Sequence, residues 1–167
     1  MTAPSSGIST HSVDVDGLDM TYLAAGLDNA GPLALCLHGF PDSAHTWRHL
    51  LPRLADAGYR AVAPFLRGYA PTAVPADGRF QTAASAIDAI GLHRELGGDS
   101  RAVIIGHDWG SIITNLAAVH RPELWSKVVM SAVPPGNAVG VAFLTNLAQI
   151  KRSWYMFFFQ HPFADMV

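Results

Sequence analysis

Arg101-Ala-Val-Ile-Ile-Gly106-His107-Asp108-Trp109-Gly110-Ser-Ile-Ile113 decides the fold. An apolar run ends in Gly106-His107-Asp108-Trp109-Gly110 and a helical pattern begins at once, which spells a strand, a sharp turn and a helix with a carboxylate at the apex. An apex residue held in a strained backbone conformation needs neighbours with almost no side chain, so that strand and helix can approach. Gly106 and Gly110 stand on either side of Asp108 where such a turn requires them. A carboxylate there is presented at the carboxyl end of a parallel strand, the edge at which α/β sheets place ligands. Aspartate before a helix also serves as an ordinary N-cap. The two flanking glycines favour a nucleophile instead.

Outward from this turn, apolar runs alternate with helical patterns. His11–Val15 and Met20–Ala24 alternate around Asp16-Gly17, the pattern of a hairpin. Pro32–Leu37, Tyr59–Phe65, Arg101–Gly106 and Lys127–Val133 read as strands buried on both faces. Helices are expected after Asp42-Ser43, with Trp47, Leu50, Leu51 and Leu54 on one face and Gly58 as the stop. Others are expected over Gln81–Leu96 and from Trp109 to about His120, the last with Ile112, Ile113, Leu116 and Ala117 on one face. The fold class is therefore α/β, a mostly parallel sheet with helices on both faces. After Pro134-Pro135 the pattern changes to an apolar, helical stretch, Val139–Val167, with an aromatic block at Trp154–Phe159. Residues 1–135 read as one unit and 136–167 as the start of another.

Composition narrows the function classes. The 167 residues are 14% charged with a net charge of −2 and no basic block, which argues against nucleic acid or an anionic membrane as partner. No apolar run is long enough to span a bilayer, and Met1–Gly7 lacks the charged and apolar regions of a signal peptide. The single cysteine, Cys36, sits in an apolar run and reads as a core thiol, in keeping with a reducing, cytoplasmic setting. No metal cluster with ligand spacing and no phosphate-binding glycine loop is present, so no cofactor and no metal are expected.

His38-Gly39-Phe40-Pro41, Arg67-Gly68-Tyr69, Gly106-His107-Asp108-Trp109-Gly110 and Arg152-Ser-Trp-Tyr155-Met-Phe-Phe-Phe-Gln160 follow one another in an order and spacing that resembles the α/β-hydrolase fold, in its epoxide hydrolase branch. The resemblance implies Asp108 as nucleophile and Tyr155 as general acid from a cap domain. It implies the backbone N–H groups of Phe40 and Trp109 as the oxyanion hole, with a cis Phe40–Pro41 bond turning the Phe40 amide into the site. His38, Gly39, Pro41, Gly106, His107 and Gly110 take supporting roles, Arg67 braces its loop, and the partner is a small apolar epoxide-type substrate. The chemistry agrees with these residue types. A carboxylate can displace at an electrophilic carbon to form an ester, a phenol can protonate the departing oxygen, and amides can hold the later oxyanion.

Two positions depart from the family pattern: Phe65 stands where an acidic residue is common, and Ala70 where a second glycine is. Haloalkane and fluoroacetate dehalogenases share the Asp apex, but haloalkane dehalogenases tend to place a side-chain donor where this chain has Phe40. Dehalogenation thus ranks second, and a non-catalytic binding module third. None of the eight histidines matches the family's water-activating base by motif position. The sequence is therefore expected to be an N-terminal portion of a hydrolase, truncated before the last strands and within the cap. Turnover is expected to be lost, and the fourth strand to become an exposed, association-prone edge. Oligomeric state is left open.

Overall fold

A computed structural model describes residues 7–159 and 161. The chain forms two compact units, 1–133 and 134–167, each described by itself.

The first unit is built on a six-stranded sheet of order β1-β2-β4-β3-β5-β6. β1 (Ser9–Val15) and β2 (Leu18–Ala25) form the expected hairpin. Its two turn residues, Asp16 and Gly17, have φ of 52° and 87°, the left-handed pair that a two-residue hairpin turn needs. β2 runs antiparallel to β4 (Arg60–Pro64). β3 (Leu33–Leu37), β4, β5 (Val103–His107) and β6 (Lys127–Ser131) are mutually parallel.

The period-two alternation of the strands divides the core. Leu33, Leu35, Leu37 and Val62 pack with Ala86, Ala89 and Leu92 of α2 (Thr82–Glu95) and with Ile113 and Ala117 of α3 (Trp109–His120). Cys36, Ala61 and Ala63 pack on the other face with Ala44, Trp47, Leu51 and Ala55. Burial pushes the Cys36 thiol up to about 12, so it is an inert core group.

Three expectations need correction. The helix after Ser43 is not continuous: Ala44–His49 is a 3-10 helix and α1 (Leu50–Asp56) begins only then. Pro52 has no N–H to give Arg48 and its ring would strike that carbonyl, so the α-helix starts where Pro52 falls in the first turn. β6 is not buried on both faces: among the described residues it is the exposed sheet edge expected of the fourth strand, with Val128 and Val129 exposed. On α3 the buried stripe is Gly110, Ser111, Ile113, Thr114 and Ala117, with Ile112 and Leu116 only partly covered. Small residues let that face approach the sheet closely.

Despite Phe65 and Ala70, the loop after β4 is fully braced. Thr72 Oγ1 donates to the Phe65 carbonyl at 2.6 Å and accepts the Thr21 N–H at 3.1 Å. Arg67 makes a bidentate pair with Asp88 of α2, both bonds 2.5 Å, and donates to the Arg79 carbonyl at 2.7 Å. Both side chains are nearly inaccessible. Those hydrogen bonds hold the guanidinium above its ordinary value.

The second unit contains α4 (Gly136–Thr145), α5 (Leu147–Arg152) and α6 (Trp154–Phe158). Asn146 caps α5, its side chain accepting the N–H groups of Ala148 and Gln149 at 3.0 and 3.2 Å. Gln149 reaches the buried Ser153 hydroxyl at 2.9 Å. The remainder of the helical stretch expected to Val167 lies outside the described residues, except for His161. No helix among the described residues is long and apolar enough to cross a membrane.

Removing one partner of a buried ion pair strands the other, at a cost of about 3–5 kcal/mol. Asp88→Ala is therefore expected to lower the urea midpoint of the chain sharply. Adding Arg67→Met should restore most of the loss, and a double variant as weak as the single one would show that the pair is not coupled.

Candidate active site

The strand order reverses at β3, because β4 lies on one side of it and β5 on the other. A crevice opens at such a switch point, at the carboxyl ends of the two diverging strands. The register sets Leu37 opposite Gly106, so the loop that leaves β3 faces the turn that leaves β5.

Asp108 is the apex of that turn, with φ 55° and ψ −118°, a backbone region costing a non-glycine residue of order 1–3 kcal/mol. Neighbouring elements over-determine it. Its N–H donates to the Ser131 carbonyl of β6 at 3.2 Å, and its carbonyl accepts the Ser111 N–H at 2.9 Å. A Cβ on Gly106 would overlap the Gly110 carbonyl, and one on Gly110 would overlap the Leu37 carbonyl. Both glycines therefore allow a close backbone approach that any side chain would block.

The Asp108 carboxylate does not cap α3. Its Oδ1 accepts the Phe40 N–H at 2.9 Å, across the crevice between the two strand ends. Gly39 makes this approach possible, since a Cβ there would run into the Asp108 side chain. The Phe40–Pro41 bond is cis, as expected, and Ala70–Pro71 is a second cis bond that was not foreseen. Trp109 is the first residue of α3, so its N–H has no carbonyl one turn back within the helix. Its side chain is exposed, as is that of Phe40.

His38 is fully buried behind this loop. Its Nε2 accepts the Leu66 N–H at 3.2 Å, which assigns the ring proton to Nδ1, 3.0 Å from the Gly39 carbonyl. The Gly39 carbonyl and the Phe40 N–H belong to one planar peptide and point opposite ways. A histidine that holds the carbonyl therefore aims the amide at Asp108. Burial keeps the imidazole below its ordinary 6.5, against weaker upward pulls from the Gly39 bond and the Asp42 charge.

Other assigned residues fall as follows. His107 ends β5 next to the apex, and its buried Nδ1 has no hydrogen-bond partner among the described residues. His93 of α2 is buried, with Nε2 3.1 Å from the Asp99 carbonyl and its ring against Trp125. Tyr155 lies on α6 of the second unit, its ring near Phe159.

Two further residues contribute to the site. Asp88, which holds Arg67, occupies the buried face of α2 with Ser85, Ala89 and Leu92. A carboxylate on an apolar stripe was a legible sign of a buried partner. Tyr69 is the second. Its ring meets that of His38 at 4.6 Å and 85°, and its phenol is raised by burial and further by the charge of Asp108.

A strand–elbow–helix with a charged apex at the switch point of a mostly parallel sheet defines a hydrolase scaffold of the α/β class. The family model for the alpha/beta hydrolase fold matches residues 32–163, and the chain belongs to that family. It is 35% identical over 164 residues to an epoxide hydrolase of Caballeronia sordidicola, spanning 96% of this chain and 49% of that protein. It is 39% identical over 146 residues to mouse (Mus musculus) epoxide hydrolase 4, spanning 87% of this chain and 40% of the relative. Among solved structures, epoxide hydrolase A from Mycobacterium thermoresistibile superposes with a TM-score of 0.72 at 33% identity, over 83% of this chain and 45% of that one. The chain thus spans about half the length of the curated relatives it matches.

Two outcomes check this geometry. His38 is neutral when folded and gains a proton when unfolded, so its contribution to stability is complete above pH 6.5 and declines as the pH falls below it. The urea midpoint should drop between pH 7.5 and 5.5. That drop should be shallower in His38→Asn, and an unchanged slope would remove His38 as its source. Asp108→Gly relieves the positive φ and should melt no lower than the parent, whereas a large loss would mean that the apex is not strained.

Proposed function

We propose that the chain carries the ester-forming half of an epoxide hydrolase site. The observation that supports this is the Asp108 carboxylate, which leaves the helix it precedes uncapped and instead accepts the Phe40 amide at 2.9 Å. With Oδ1 engaged by that amide, Oδ2 is the oxygen left to attack. The Oδ2–carbon bond forms as the epoxide carbon–oxygen bond breaks, and the departing oxygen takes the Tyr155 hydroxyl proton. Oδ1 becomes the ester carbonyl, already paired with the Phe40 amide and within the same turn as the Trp109 amide. Hydroxide attack would place the oxyanion on that oxygen. His38, Gly39, Pro41, Gly106, His107 and Gly110 hold the geometry, and residues 136–167 are the start of the helical cap. The substrate is a small apolar epoxide, the product of full hydrolysis a diol, and the location cytoplasmic.

None of the eight histidines takes the base role by motif position, so the 167-residue chain tested alone should form the ester and stall. A dehalogenase of the same fold is the second reading. The absence of a side-chain halide donor at Phe40 disfavours it.

Intact-mass spectrometry of the chain incubated with styrene oxide separates these outcomes. Addition to an epoxide loses no atoms, so the mass should rise by that of the whole epoxide, on the peptide containing Asp108 and not in Asp108→Ala. Alkylation by a chloroalkane with chloride release, but none by the epoxide, would support the dehalogenase. Steady diol release over many turnovers would overturn the stalled ester.

A further inference from the structure

We propose that Tyr69 is a positioning residue for the Phe40 amide, acting through His38, with which its ring makes edge-to-face contact. The inference rests on the reading of Phe40 and Asp108 given above.

Leu66 to Tyr69 form one tight turn, closed by the Tyr69 N–H donating to the Leu66 carbonyl at 2.9 Å. Gly68, third in the turn, has φ 85°, the value a type II turn demands there. This four-residue unit touches His38 at both ends. Leu66 donates its N–H to Nε2 at 3.2 Å, and Tyr69 sets its ring 4.6 Å from the imidazole at 85°. Arg67, between them, is anchored to Asp88 on α2.

The need for the ring follows from what His38 does. Its two hydrogen bonds require one tautomer and one of the two orientations related by a half-turn of the ring. In the flipped orientation carbon atoms would face the Leu66 N–H and the Gly39 carbonyl, and both bonds would be lost. The Gly39 carbonyl would then lose its bond to His38, and the amide aimed at Asp108 could tilt away. Tyr69 packs against both core clusters, so its own ring is fixed by the sheet and helices on each side. A wall that cannot move denies the imidazole the space to turn. The hydroxyl plays no part in this account.

The test uses the whole chain and the variants Tyr69→Phe and Tyr69→Leu, with two readouts. Ring 15N shifts of His38 report the tautomer. The styrene oxide adduct reports the amide, as a maximal rate at saturating epoxide and a half-saturating concentration. Tyr69→Phe should match the parent in both. Tyr69→Leu should lose the single-tautomer signature and form the adduct at least tenfold more slowly at saturation, with the half-saturating concentration changed less than twofold. Tyr69→Met, less disruptive to packing, carries the same expectation should Tyr69→Leu not fold. A purely structural role would lower the melting temperature and leave the His38 signature of the folded protein unchanged, which would overturn the proposal. So would Tyr69→Phe behaving like Tyr69→Leu, since the hydroxyl would then be the active part. If the parent forms no adduct, the ester-forming reading fails, and the 15N shifts still decide whether Tyr69 holds His38.

Discussion

The site depends on one hydrogen bond, from the Phe40 N–H to Asp108 Oδ1. It joins two loops that leave neighbouring strands at the point where the sheet reverses its strand order. Much of the local sequence serves that bond. Gly39 clears the space for the carboxylate, while Gly106 and Gly110 let the elbow close against β3. Ser131 and Ser111 hold the apex through its backbone. His38 fixes the back of the peptide whose front makes the bond. Polar groups facing each other across the crevice are useful only if they are held, since an amide that could swing would lose its electrostatic advantage.

Rigidity in this region comes from polar contacts as much as from apolar packing. The buried Arg67–Asp88 pair anchors the turn that serves His38, and α2 carries that carboxylate on its buried face. Such a pair gives little net stability over a well-packed apolar alternative, but breaking it is costly. It suits a loop that must stay in place. Ser111, fully buried on α3, holds the chain beyond β6 through its hydroxyl, which donates to the Val133 carbonyl at 2.6 Å.

The sequence was most legible where backbone geometry leaves few choices. Two glycines flanking an acid between an apolar run and a helical pattern have few other uses, and β5, Asp108 and α3 lie where they were read. The Asp16-Gly17 hairpin was legible for the same reason. Features set by distant contacts were not. Apolarity alone made Lys127–Ser131 read as a covered strand, although its place as the fourth strand marked it as the edge. The 3-10 start before α1 follows from Pro52, a single residue within a pattern that otherwise reads as one helix. The burial of His93 was not legible because its partners, the Asp99 carbonyl and Trp125, come from later in the chain. Tyr69 could not be tied to His38 without the sheet that brings their loops together.

The most direct measurement is an NMR pH titration that follows backbone amides through protonation of the Asp108 carboxylate. If the carboxylate is held across the crevice, the Phe40 amide proton should show the largest shift and should cease to titrate in Asp108→Ala. If the carboxylate were instead the cap of its own helix, the amides of Gly110 and Ser111 would move while Phe40 stayed still, and the account of the site would be wrong.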